Sequence, residues 1–190
     1  DEANSLAKEI EHLGKKAYVH LADVSQPEGS ASLIAAAIEQ FGRIDILVNN
    51  AAVRRHSSID VLELNEWREV MGCILDSAYL CSRAALPYLR LSDMASIINI
   101  GGMSAHTGSQ DRAHVLAAKA GLIGLTKGLA HDLGSSGITV NCVVPGLIDT
   151  VRGESAGHGS PEHHAKNKTL IGRRGDPKEV AYMVAFLAGP

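Results

Sequence analysis

Apolar positions along this 190-residue chain switch repeatedly between helical spacing and unbroken runs. Residues 3–13 and 28–41 carry apolar side chains three to four apart, and Gly42 follows the second stretch as a stop signal. AYVHLADV, beginning at Ala17, reads as a short strand over 17–22. IDILVNNAA (44–52) is a β-branched run ending in two asparagines, the pattern of a buried strand that leads into a turn. A helix around Trp67 continues into a longer one near 73–90, which Pro87 bends or ends. SIINIGG (96–102) and ITVNCVVPG (138–146) are two further buried runs, separated by a long helix of small residues over 112–133. Residues 150–172 are rich in Gly, His and charge and read as a loop with one short helix. The last helix begins near DPKEVA, where Asp176 caps and Pro177 takes the first helical position.

Strands that are apolar throughout and alternate with helices imply a parallel sheet covered on both faces. The fold class expected is α/β, a Rossmann-like doubly wound sheet in three αβα layers, within a single domain spanning 1–190. Composition agrees: 45% apolar residues suffice for a substantial core, and 4% aromatics with abundant Gly and Ala suit helices lying close on a sheet. A net charge of −3 without a basic stripe argues against nucleic acid. No run of 18 apolar residues occurs, so no membrane span is expected. DEANSLAKEIEHLG reads as a polar helix and not as a secretory leader. Cys73, Cys81 and Cys142 are odd in number and lack ligand spacing, which reads as buried free thiols in a cytoplasmic protein.

Four segments carry a resemblance. Asp23-Val24 follows a strand pattern; NNAA covers 49–52; PGLIDT covers 145–150; GRRGDPKEVA covers 172–181. In this order and spacing they resemble the short-chain dehydrogenase/reductase (SDR) family along essentially the whole chain. The resemblance implies NAD or NADP as cofactor. Asp23 and Val24 would contact adenine. Asn49 and Ala51 belong to the NNAG-like segment, in which Ala52 stands for the usual glycine. Pro145, Gly146, Ile148 and Thr150 would lie beside the nicotinamide. Family members open with a strand and a TGxxxGxG turn that cradles the pyrophosphate. This sequence reads as truncated at both ends, starting after that unit and stopping before a final strand. By the doubly wound order, the strand at 17–22 would be third and that at 44–49 fourth, with the absent first two between them. The expected whole is a protein of about 250 residues.

In the family a tyrosine exchanges a proton with substrate, assisted by a lysine four residues later on the same helix face. A serine thirteen residues before the tyrosine and an asparagine one helix earlier complete the set. Lys119 matches the lysine, which also bonds the nicotinamide ribose. Val115 stands at the tyrosine position, Gly102 at the serine and Ile74 at the asparagine. The usual mechanism is unavailable to such a set. Candidate substitutes are His106, poised near neutral pH, together with Ser104 and Arg112; His114 lies about 100° round the helix from Val115 and reads as pointing elsewhere. Arg112 with Arg54 or Arg55 would suit an anionic ligand. His158, His163 and His164 read as a solvated loop with no metal-ligand spacing. Trp67 reads as a packing residue.

Three functions remain open at this level. The first is an NAD(P)-dependent oxidoreductase acting on a small carbonyl or alcohol with an atypical site. The second is a catalytically silent nucleotide-binding or scaffold protein. The third is a lyase or dehydratase that uses nicotinamide only structurally. The family also implies a homodimer or homotetramer, built on helices matching 75–90 and 113–133.

Overall fold

The computed structural model describes residues 2–150 and 169–189. Helix α1 (Glu2–His12) buries none of its residues. Helix α2 (Pro27–Phe41) starts on a proline and stops at Gly42, whose φ of 76° suits a residue without a Cβ. The Gly42 N–H returns to Ile38 O, 2.8 Å away, closing the last turn. Between these helices, residues 17–22 form no strand. The strand pattern there is real, but a strand exists only through a ladder, and no other strand lies alongside among the described residues. The first turn of α2 instead pins the segment that follows. A Cβ at Gly29 would sit 2.0 Å from Asp23 O, and Ser30 donates from Oγ to Val24 O at 2.7 Å.

The described sheet has three parallel strands in the order β1 (Ile46–Asn49), β2 (Ser96–Ile100), β3 (Thr139–Val143). Val48 pairs with Ile98, which pairs with Asn141. Central β2 is buried on both faces, with Ile97 and Ile98 fully inaccessible. β1 is shorter than 44–52 and is not wholly buried, since Ile46 and Val48 are 39% and 41% exposed. The reason is positional. Leu47 packs into the main core, whereas Ile46 and Val48 point to the opposite face, where the last helix lies over β2 and β3.

One face of the sheet carries α2, α4 (Ser77–Leu89) and α6 (Ala113–Leu133), whose core includes Ile34, Ala85, Leu89, Ile97, Leu133 and Val140. The other carries α7 (Pro177–Ala188), joined to β2 by Ser96 Oγ donating to Leu187 O at 3.1 Å. This is the expected αβα arrangement. A buried polar chain crosses the first interface: Asn49 Nδ2 donates to Asn99 Oδ1 at 2.8 Å, and Asn99 Nδ2 donates to Thr126 Oγ1 at 2.9 Å. Thr126 in turn donates to Leu122 O. The buried side chains of Asn99 and Thr126 are thereby paired, which burial demands.

Helix α3 (Leu64–Met71) runs into α4 through a π-helical turn, Gly72–Asp76. Ser77 Oγ donates to Cys73 O at 2.6 Å and supports that wider turn. Gly121 of α6 faces it closely: a Cβ there would lie 2.8 Å from Leu75 Cδ2. Pro87 falls in the last turns of α4, near its end at Leu89. Asp176 caps α7 by accepting from Lys178 N at 2.8 Å, while Glu179 accepts from Asp176 N at 2.7 Å, a complete capping box. Most of the 150–172 loop, with His158, His163 and His164, lies outside the described residues.

Candidate active site

A cavity of about 770 Å³ opens where β1, β2 and β3 end, the position at which doubly wound sheets bind ligands. Its floor comes from Ile100, Gly101 and Gly102 after β2. One wall is Pro145–Thr150 after β3, and another is the α7 face bearing Val180 and Val184. Backbone bonds tie these pieces together. Gly101 N donates to Val143 O at 2.8 Å, and Met103 N donates to Pro145 O at 3.1 Å. The segment after β3 is clamped to the approach to α7, since Asp149 N donates to Gly175 O and Gly175 N to Leu147 O. A Cβ at Gly175 would come 2.7 Å from Ile148 Cδ1, so this close approach needs glycine.

Lys119, two turns into α6, reaches the cavity and donates from Nζ to Ile100 O. Burial lowers its pKa to about 8, and Arg54 and Arg112 push the same way; the thiols of Cys142 and Cys73 oppose them. Gly102 faces this lysine, with Lys119 Cγ 4.0 Å from where its Cβ would stand and nothing closer. Arg112 stands at the N-terminal boundary of α6, is buried at 6% exposure, and lines the cavity, as do Arg54 and Ser104. The helix begins at Ala113, one residue later than the sequence pattern implied. Arg55 turns away from the cavity and pairs with Glu69 on α3, 2.5 Å apart.

An apolar cluster lies against α6 one turn before Lys119. Ile74, in the π turn, packs with Val70, Val115 and Ala118 in one cluster, and Val53 and Met71 lie against it. Ile74 is 1% exposed and Val115 3%. His114 is fully buried against the same helix α3, with Nε2 3.2 Å from Glu66 Oε1. Burial holds its pKa below the usual histidine value despite the Glu66 carboxylate. Glu66 also accepts from Ser57 Oγ at 2.7 Å, and Ser57 N donates to Asp111 O, which fastens the loop after β1 to the start of α6. Asp111 takes a left-handed φ of 55° at that junction, a conformation aspartate tolerates better than most residues.

A family profile described as Enoyl-(Acyl carrier protein) reductase matches residues 1–190. The chain is 35% identical over 182 residues to the 3-oxoacyl-(acyl-carrier-protein) reductase FabG of Vibrio cholerae, covering 95% of this chain and 73% of that protein. The FabG protein of Thermotoga maritima is 31% identical, with 97% and 75% covered. A crystal structure of a short chain dehydrogenase from Burkholderia cenocepacia in complex with NADP is similar at TM-score 0.89 and 34% identity, covering 99% of this chain and 76% of that one. The chain belongs to the short-chain dehydrogenase/reductase family. SDR proteins are NAD(P)-dependent oxidoreductases, and the Rossmann-like sheet expected of them is the one described above.

Within this SDR domain the cofactor residues anticipated from sequence separate into two groups. Lys119, Pro145, Gly146, Ile148 and Thr150 line the cavity. Asp23, Val24, Asn49 and Ala51 do not line it. Asp23 is exposed, and its carboxylate accepts from Ser25 N and Oγ, which lowers its pKa. The Asn49 side chain turns under the sheet towards Asn99 and Ser82. Sequence reasoning missed Asn50, which lines the cavity because neighbouring residues of an extended strand point to opposite faces. It also missed the wall from α7, whose apolar sequence reads as a packing helix and carries no chemical signal. Among the proton-transfer substitutes, Ser104 and Arg112 reach the cavity; His106 lies on the exposed side of the short helix α5 (Ser104–Thr107) and does not line it. Trp67 is half-buried on α3. All three cysteines are free thiols, Cys81 buried and Cys73 and Cys142 half-buried. Among the described residues no cluster suits a metal ion, and no helix is long and apolar enough to cross a membrane.

Proposed function

We propose that this SDR domain forms the nicotinamide and substrate pocket of an oxidoreductase for a small carbonyl or alcohol, and that Lys119 itself moves the proton. A single observation carries this reading. Lys119 enters the cavity with a pKa of about 8, while Ile74 and Val115, at the family's asparagine and tyrosine positions, pack against each other as core.

The donor set suits a nicotinamide nucleoside. Lys119 is an ammonium with three N–H groups, of which one goes to Ile100 O, leaving two for a ribose hydroxyl and a substrate oxygen. Thr150, Asn50 and the backbone after Pro145 offer polar contacts among apolar walls from Val48, Ile100 and Val184. When bound, NAD or NADP exchanges a hydride with the substrate carbon. The chain's own part is to orient the carbonyl and to manage charge and proton. The Lys119 ammonium lies where negative charge grows on the substrate oxygen, in a site partly shielded from water, and passes its proton there. Ser104 replaces the missing hydroxyl of position 102 as the orienting group.

Titration of the full-length protein with NADH and NADPH, followed by a carbonyl and alcohol screen, tests the proposal. Lys119→Met is expected to lower kcat for carbonyl reduction by about 100-fold or more. Because the ammonium is the donor, reduction should also decline as pH rises through 8. The packing of Ile74 against Val115 favours a second reading, a catalytically silent nucleotide-binding or scaffold protein. On that reading the native protein shows no turnover, and activity emerges only when Gly102→Ser, Ile74→Asn and Val115→Tyr are combined. Space at Gly102 permits the first of these without a clash.

A further inference from the structure

Lys119 brings a primary amine into a cavity whose walls include Val48, Ile100, Val115, Val180 and Val184. Among the described residues it forms no ion pair, and no Asp or Glu lines that cavity. Its hydrogen bond goes to a neutral acceptor, Ile100 O. A carbonyl directs one N–H but, unlike a carboxylate, does not hold a full charge on the nitrogen. Burial is the largest reason its pKa stands at about 8; Arg54 and Arg112 add to the fall, and the thiols of Cys142 and Cys73 oppose it. About a tenth of this amine is therefore neutral at pH 7, against about one part in a few thousand for an ordinary lysine. Space lies open beside it as well. Lys119 Cγ is 4.0 Å from where a Gly102 Cβ would stand, and apart from chain neighbours no other atom comes as near.

We infer that Lys119 is also a nucleophile, and that its free amine condenses in this cavity with an aldehyde or ketone of apolar body to form a reversible imine. The nitrogen lone pair attacks the carbonyl carbon, a C–N bond forms, and the C=O π pair moves to oxygen, which takes up a proton. The carbinolamine then loses that oxygen as water, which carries away both protons of the amine, and a C=N bond remains. No oxidant, reductant or cofactor is consumed, and water reverses the step. The apolar walls accept the body of the carbonyl compound. This inference rests on the same pocket and residue as the function proposed above, but not on hydride transfer. It uses the opposite protonation state: the ammonium gives up a proton, whereas the free amine bonds to carbon.

Incubating the full-length protein with hexanal and sodium cyanoborohydride tests this, because the reagent turns an imine into a stable secondary amine. Peptide mapping by mass spectrometry should find the hexyl group on Lys119 at least about tenfold faster than on exposed Lys127 of the same helix. The rate at Lys119 should rise with pH and level off above about 8, whereas that of free Nα-acetyllysine keeps rising towards about pH 10. Lys119→Arg keeps the charge and should remove the fast phase of labelling from the intact mass. Mapping of the native protein decides the matter if that variant fails to fold. Equal rates at Lys119 and Lys127, or a Lys119 rate without the plateau, overturns the imine. Saturating NADPH should slow the labelling. Labelling of Lys119 that neither NADH nor NADPH slows would count against the nicotinamide pocket and leave the imine standing; carbonyl reduction by NADPH with no labelling of Lys119 would do the reverse.

Discussion

The start of α6 has two sides that solve opposite problems within a few residues. On one, Val115 and Ala118 meet Val70 and Ile74 in an apolar cluster with no titratable atom, and Val115 also reaches the cavity wall. On the other, Arg112 and Lys119 bring positive charge to the cavity, with Arg54 facing them from the loop after β1. The apolar side is held by close packing and contributes stability. The cationic side costs stability, because desolvation already pulls the Lys119 pKa down. The contrast teaches that one helix start can present apolar packing and positive charge within eight residues.

The largest effect expected on this contrast comes from the dry side. Ile74→Ala should destabilise the protein by about 2–5 kcal/mol, measured by chemical denaturation, as for other fully buried large-to-small changes. A loss below ~1 kcal/mol would mean the cluster is not close-packed and could readmit a polar relay. A smaller effect concerns His114, behind both sides. Its folded pKa is depressed by burial, so the unfolded chain binds a proton more readily. Stability should therefore be fully present above about pH 6.5 and decline as pH falls below it, and His114→Gln should flatten that decline in pH-dependent melts. The smallest lies away from both sides. Asp176→Ala removes the α7 cap and should cost about 1 kcal/mol in chemical denaturation. No loss at all would show that the capping box adds nothing to α7.

Much of the architecture was legible before any coordinates. Three apolar runs became β1, β2 and β3, and Gly42 and Asp176 ended and began helices where their backbone chemistry indicates. The strand pattern at 17–22 misled, because propensity is local whereas a ladder needs a partner. Single positions in the site were harder. Lys119 could be found from its spacing in a helix, a regular element in which number translates into direction. Arg54 and Arg55 sit in irregular backbone, where adjacent residues have no fixed relation, and only Glu69 on α3 shows which one turns away. Asn50 went unnoticed for a related reason: the buried Asn99–Thr126 chain claims the Asn49 side chain, and Asn50 lines the cavity.

By itself, then, the order of residues determined the layered α/β fold, the resemblance that marks the family, and the absence of polar side chains at positions 74, 102 and 115. Those follow from periodicity, residue type and motif spacing, which need no third dimension. Tertiary structure alone decided that Ile74 and Val115 share one core, that Arg54, Arg112 and Lys119 share one cavity, and that His106 stays outside it. Such groupings depend on where strand ends, a π turn and a helix start meet in space, and these are set by packing between segments far apart in the chain.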